Sequence, residues 1–213
     1  MKKIFEIVIN FFPLENFLSA LGLSIISGIL IWIIYRLVSR VTPKLHKAQI
    51  IDKIITQILD NANKMVMREL RIDIRSCIFY ADSERDKLRL FFTSSDFDGN
   101  SPERNISFNK GSGIVGKCWT RNEPLIGNLE NKKYDELKGW NITKRQYRIT
   151  KYLTAVIAIP IQLSDNSEKV IGILAFDSKQ KNAYNKFKKD ELISIATKHA
   201  ILAGRTFEKI GLN

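Results

Sequence analysis

Two apolar runs joined by a polar tip dominate the hydropathy pattern. They are Thr154 to Leu163 and Lys169 to Phe176, with Ser164, Asp165, Asn166 and Ser167 between them. Val, Ile, Leu and Ala fill both runs, as in strands covered on two faces, and the tip has turn chemistry, so the pattern predicts a hairpin of two adjacent central strands. Pro160 lacks an N–H and is expected to end or bulge the first strand, while Gly172 should admit close approach of a neighbouring backbone. Upstream, Ile72 to Ala81 and Lys87 to Ser94 read as a second hairpin, Ser95 to Arg104 as a loop and Ile106 to Phe108 as a short strand. Ile114 to Arg121 reads as a short helix and Leu125 to Ile126 as an edge strand. Glu130 to Lys151 is polar and shows no period, the pattern of a segment folded over a pocket. Lys188 to Phe207 predicts a helix with Leu192, Ile195, Ala196, His199, Leu202 and Ala203 on its inner face.

Ahead of this alternating region the periodicity changes. Asn16 to Tyr35 is a run of uncharged residues long enough to cross a bilayer as a helix, so residues 16–38 are expected to be a single transmembrane helix. Ala20, Ser24 and Gly28 recur on one face of it, the small-residue pattern that lets helices approach in lipid. Residues 1–15 hold a shorter apolar run, Ile4 to Phe12, suited to the membrane interface. Arg36, Arg40, Lys44 and Lys47 outweigh Lys2 and Lys3, which predicts an inner-membrane protein with its N-terminus outside and the remainder in the cytoplasm. Past Pro43, residues 44–70 form an expected connecting amphipathic helix. Ile51, Ile55, Ile58, Ala62 and Met65 follow Ala48 at heptad spacing, the seam of a parallel dimer helix. Ile54, Leu59 and Val66 widen the stripe, so part of it should also pack on the domain formed by residues 71–213.

Within that domain the motifs resemble those of the GAF family. Val156 to Ile161 with its Pro160, Val170 to Phe176, and Phe187-Lys188-Lys189-Asp190-Glu191-Leu192 are similar to the closing strands and final helix of that family. Gly111-Ser112-Gly113-Ile114-Val115-Gly116-Lys117-Cys118-Trp119, followed by Glu123-Pro124-Leu125-Ile126, resembles its glycine-rich helix opening and return strand. The resemblance spans about residues 60 to 210. It implies an α/β (α+β) fold, with a mostly antiparallel sheet of five or six strands and helices on both faces. Cyclic-nucleotide-binding members carry an Asn-Lys pair after the last strand, but Asp177-Ser178 stands there, which does not support cyclic GMP. Free-methionine sulfoxide reductases of similar fold use several cysteines in the helix and following loop; here Cys118 is alone, leaving a redox enzyme as the weakest reading.

Charge and chemistry narrow the function. The net charge is +12 with Lys outnumbering Arg, which suits anionic lipid or an anionic small molecule; nucleic acid is not expected, because no exposed aromatics interleave with the cations. Cys77 and Cys118 lie in apolar segments without metal-ligand spacing, and neither His46 nor His199 has catalytic surroundings, so no metal, cofactor or catalytic residue is expected. The Gly111, Gly113, Gly116 spacing matches a dinucleotide fingerprint without the long preceding strand that motif needs, so tight-turn glycines explain it. Trp140, Arg145, Tyr147 and Arg148, with Cys118 and Trp119 nearby, are the expected ligand-binding residues; Lys144 and Lys151 add charge for a small anion such as a nucleotide. The expected function is a membrane-tethered small-molecule sensor that relays binding through the connecting helix, as a homodimer or higher oligomer, to the membrane or to a signalling partner. The alternatives are a nucleotide-activated, membrane-perturbing effector of antiviral defence and a dimerisation module without ligand.

Overall fold

Side-chain alternation in one antiparallel sheet organises the whole chain from residue 48 onward. The computed structural model describes residues 48–97, 101–163 and 166–211. Helix α1 (residues 48–70) leads into β1 (Arg75–Asp82), β2 (Lys87–Thr93), a 3-10 turn (Pro102–Asn105), β3 (Ser107–Asn109) and α2 (Gly113–Arg121). Then come β4 (Leu125–Asn128), a second 3-10 segment (Tyr134–Trp140), α3 (Lys144–Thr150), β5 (Ala155–Leu163), β6 (Asn166–Ser178), α4 (Ala183–Phe187) and α5 (Asp190–Ile210). The strands form one six-stranded sheet in the order β3-β2-β1-β6-β5-β4. Its pairings are antiparallel.

The two long apolar runs do form neighbouring strands, with β6 innermost. Pro160 neither ends nor bulges β5; it stands inside the strand opposite Ile173, and the register slips just after it, at Ile161 and Gln162. The reason is the reach of the neighbour: β4 pairs with β5 only from Ala155 to Ala158, so beyond that point one side of β5 needs no N–H donors. Gly172 behaves as expected, since a Cβ there would lie 2.7 Å from the Phe79 carbonyl oxygen.

The period-two alternation divides the core in two. Ile78 of β1, Leu174 and Phe176 of β6, and Ile157, Ile159 and Ile161 of β5 face one way, onto Ile55, Leu59, Ala62 and Val66 of α1 and Leu192, Ala196, Ala203 and Phe207 of α5. Cys77 and Phe79, Ile173 and Ala175, and Val156 and Ala158 face the other way, beneath α2 and the 129–153 segment. The helical seam is thus largely consumed within the chain: Ile55, Ile58 and Ala62 are buried in its own core, whereas Ile51 is half-buried and Met65 is exposed. Polar bonds fasten the same helix to β1 and to the turn after β2, the Ser76 hydroxyl donating to the Leu59 carbonyl at 3.3 Å and Asn63 Nδ2 to Asp96 at 3.1 Å. His199, on the inner face of α5, meets the Ile195 carbonyl at 2.8 Å, a structural role. No helix among the described residues is long and apolar enough to cross a membrane. The apolar run at 16–38, with Ala20, Ser24 and Gly28, and the segment 1–15 lie outside the described residues.

Candidate functional site

The segment 129–153, irregular by its sequence, is built as two short helices. The 3-10 segment places Leu137 in the core and ends in a left-handed residue, Asn141. Helix α3 opens with a capping box, Thr143 Oγ1 accepting from the Gln146 N–H at 3.1 Å while Gln146 Oε1 accepts from the Thr143 N–H at 2.7 Å. Its amphipathicity was hidden because only about two turns are helical and because Gln146, a polar residue, is the buried anchor: its Nε2 donates to the Ser107 carbonyl at 2.6 Å. Ser112 donates to the Asn141 carbonyl at 2.6 Å and Tyr147 to the Lys132 carbonyl at 3.2 Å, which stitches the cover to α2 and to itself.

Beneath this cover lies a cavity of about 90 Å³. Its apolar walls include Phe79, Phe97, Ile114, Leu137, Trp140 and Val156. At one pole stand Glu103 and Asp177, brought there from the 3-10 turn and from the end of β6. Arg75 of β1 joins them: its Nε donates to Asp177 Oδ1 at 2.9 Å and its Nη2 to Asp177 Oδ2 at 3.1 Å, while Nη1 and Nη2 donate to Glu103 at 2.8 and 3.2 Å. The guanidinium also lies 4.3 Å from the centre of the Phe97 ring, a cation–π contact.

Electrostatics at the pole follow from burial. Burial pushes the Asp177 carboxyl up to about 6, with the Glu103 charge adding to the rise and Arg75 opposing it. Burial also works against the charge on Arg75, yet hydrogen bonds to Glu103 and the charge of Asp177 outweigh it and hold the guanidinium above its ordinary range. Cys77, on the cavity wall, has its thiol driven well above the usual range by burial, with Asp177 reinforcing the effect.

The expected ligand residues separate into three groups. Trp140 and Tyr147 line the cavity, and so does Lys151. Arg145 and Arg148 instead line an open groove of about 510 Å³ on the outer side of α3, together with Ser101, Asn105 and Tyr152. Cys118 and Trp119 are buried in the core formed by α2, with the Cys118 thiol pushed up to about 12, chiefly by burial, which leaves it protonated and unreactive at neutral pH. From α2 it is Gly113, Ile114 and Val115 that reach the cavity. The glycine spacing is accounted for locally: Gly111 and Gly113 have φ of +78° and +62°, and a Cβ on Gly116 would collide with the Asn109 carbonyl.

Sequence reasoning passed over Arg75, Glu103 and Asp177, which are far apart in the chain. One signal was available: a charged residue directly after the apolar run of β6, where the strand's alternation points it to the covered face.

An antiparallel six-stranded sheet, with α1 and α5 on one face and a cavity under short helices on the other, has counterparts among solved structures. The GAF domain region of a candidate membrane protein from Geobacter sulfurreducens PCA matches with a TM-score of 0.53 at 13% identity, over 80% of this chain and 99% of that one. The fold is that of a GAF domain. A type II free methionine-R-sulfoxide reductase from Thermoplasma acidophilum also matches this GAF fold, with a TM-score of 0.50 at 12% identity, over 75% of this chain and 96% of that one. No family model matches the chain, and no curated protein matches its sequence.

Proposed function

We propose that this GAF domain is a small-molecule sensor whose ligand occupies the cavity beneath the 129–153 cover. The observation that carries the reading is the cavity itself: a void of about 90 Å³ walled by apolar side chains and ending in a buried ionic pole, the combination of shape and few convergent polar groups that marks ligand sites. β1 supplies the path out. Cys77 lines the cavity and Arg75 is bonded to the Glu103 and Asp177 that end it, while Ser76 between them faces α1 and donates to Leu59, so a ligand that prefers one placement of β1 biases α1 by its differential affinity. In this reading α1 relays occupancy toward the apolar 16–38 segment, which tethers the chain to the inner membrane, or toward a second copy through Met65 and other exposed positions of α1. A membrane-perturbing output, as in nucleotide-activated defence, uses the same chain of contacts with the bilayer as its target.

A thermal-shift screen of the full-length protein tests this directly, with Ala175→Leu as the control. Ala175 lines the cavity and is almost wholly buried, so the larger side chain fills the void. A ligand at 100 times its Kd stabilises by about 2.7 kcal/mol; that stabilisation should vanish in Ala175→Leu. A ligand that stabilises both proteins equally binds elsewhere.

The outer groove favours a second reading for anionic ligands, because Arg145 and Arg148 lie there beside Ser101 and Asn105. If a nucleotide binds in the groove, Arg145→Ala and Arg148→Ala weaken it while Ala175→Leu does not.

A further inference from the structure

Charged side chains around the cavity differ sharply in burial. Lys132 is paired with Glu136 at 3.1 Å, and its side chain is 40% exposed; Lys151 is exposed as well. Water screens both. At the pole, the side chains of Arg75, Glu103 and Asp177 retain 14%, 7% and 11% exposure. One guanidinium there faces two carboxylates, and Lys179, whose charge also acts on Asp177, is exposed and held over the Tyr152 ring at 4.5 Å. Among the described residues a buried negative charge is therefore left without a buried partner, a costly arrangement unless something supplies the cation. The carboxylate oxygens still have lone pairs to offer. Glu103 Oε1 and both Asp177 oxygens each accept one Arg75 bond, and Glu103 Oε2 accepts from Arg75 and from the Ser101 hydroxyl.

We propose that the cavity selects a small amphipathic cation, seating a primary ammonium group against Glu103 and Asp177 and a short apolar tail against Phe79, Ile114 and Val156. This rests on the reading of the cavity as a ligand site. The ammonium donates three hydrogen bonds and restores charge balance at the pole; a carboxylate or phosphate head would place a third anion there. Burial, with the Glu103 charge adding to it, pushes the Asp177 carboxyl up, and an ammonium beside it would oppose that push. Size restricts the tail. A cavity of about 90 Å³ holds about three waters at ~30 Å³ each, which suits a chain of a few carbons and not a ring system.

The test uses the full-length protein and three probes of one length: n-butylammonium chloride, n-butanol and sodium butyrate at matched ionic strength, followed by NMR shifts of the Val156 and Ala175 amides. Butylammonium should bind at least about tenfold more tightly than butanol, as expected for hydrogen bonds to charged groups, and butyrate should bind most weakly. Asp177→Asn, and independently Glu103→Gln, should shrink that preference while butanol binding persists; the second variant keeps the test decisive if the first does not fold. Equal binding of all three probes overturns the cation selection and leaves the cavity as a ligand site. Tighter butyrate binding overturns it in favour of an anion. No shift with any probe overturns both readings.

Discussion

Replacing Arg75 with Met removes the guanidinium shared by Glu103 and Asp177 while keeping an unbranched side chain of similar reach. Removing one partner of a buried ion pair costs about 3–5 kcal/mol, because the other charge is stranded. Here a single removal strands two carboxylates and also ends the contact with Phe97 at 4.3 Å, so we expect the upper end, about 5 kcal/mol at pH 8. The pH dependence sharpens the test. In the native protein Asp177 lies at about 6 against an ordinary 3.8, so the folded state holds this proton more tightly than the unfolded chain. Its contribution to stability is complete below the unfolded value and is lost as the pH rises through about 6. The groups facing it are Arg75 and Cys77 from β1, Glu103 from the 3-10 turn and Lys179 beyond β6. Without Arg75, the group that opposes the rise most is gone, and the window of loss moves to higher pH; each further tenfold tightening of the proton adds about 1.4 kcal/mol to the gap at pH 8. Urea denaturation of wild type and Arg75→Met from pH 5 to pH 8 reads both effects. A gap below about 1 kcal/mol at pH 8, or one that narrows as the pH rises, would refute the view that this cluster is a buried, charge-deficient pole.

Three other outcomes are expected. Gly204→Ala should destabilise the protein in thermal denaturation although alanine gains about 1 kcal/mol in helix propensity, because its Cβ would collide with the Gln162 carbonyl where α5 crosses β5; a rise in Tm would show that the two can separate at little cost. Cys118 and Cys77, both buried with raised thiol pKa values, should resist a thiol reagent at pH 8 until the protein is denatured, and rapid labelling of either in the native state would contradict their placement. Ser76→Ala should cost about 1 kcal/mol, measured by urea denaturation, through loss of the bond to the Leu59 carbonyl, and a neutral result would mean that α1 is held to β1 by apolar packing alone.

The legible part of the fold was the part written in local periodicity. The β5–β6 hairpin, the β1–β2 pair, α2 and α5 follow from alternation or from helical spacing of Val, Ile, Leu and Ala, because burial of one face imposes those patterns on the chain. The cover segment was not legible as structure. Helix α3 spans only Lys144–Thr150, too few residues for a period to emerge, and its anchor Gln146 is satisfied by a backbone carbonyl 39 residues away. Trp140 and Tyr147 could be found from composition alone, since large aromatics in a polar segment need somewhere to pack. Arg145 and Arg148, chosen by the same reasoning, lie outside because charge count does not say which side of a short helix faces in. The ionic pole was beyond reach for a different reason: Arg75 and Asp177 are 102 residues apart, and only the register Arg75↔Asp177 across β1 and β6 makes them neighbours.

That register also sorts the residues of β1 between the cavity and α1. In an antiparallel pair, residues directly opposite share a face, so Arg75 opposite Asp177 and Cys77 opposite Ala175 both belong to the cavity side, whereas Ser76 opposite Phe176 and Ile78 opposite Leu174 belong to the helix side. A one-residue slip of β1 against β6 would bury Arg75 against α1 and turn Ile78 into the cavity. The ionic bonds between Arg75 and Asp177 therefore oppose the same displacement that the apolar packing of Ile78 opposes. In the proposed reading, a ligand at the pole changes the weight of the first of these two restraints. If the occupant competes for the Asp177 oxygens, β1 is left registered mainly by its packing on α1, and the helix is the element to which any adjustment must pass.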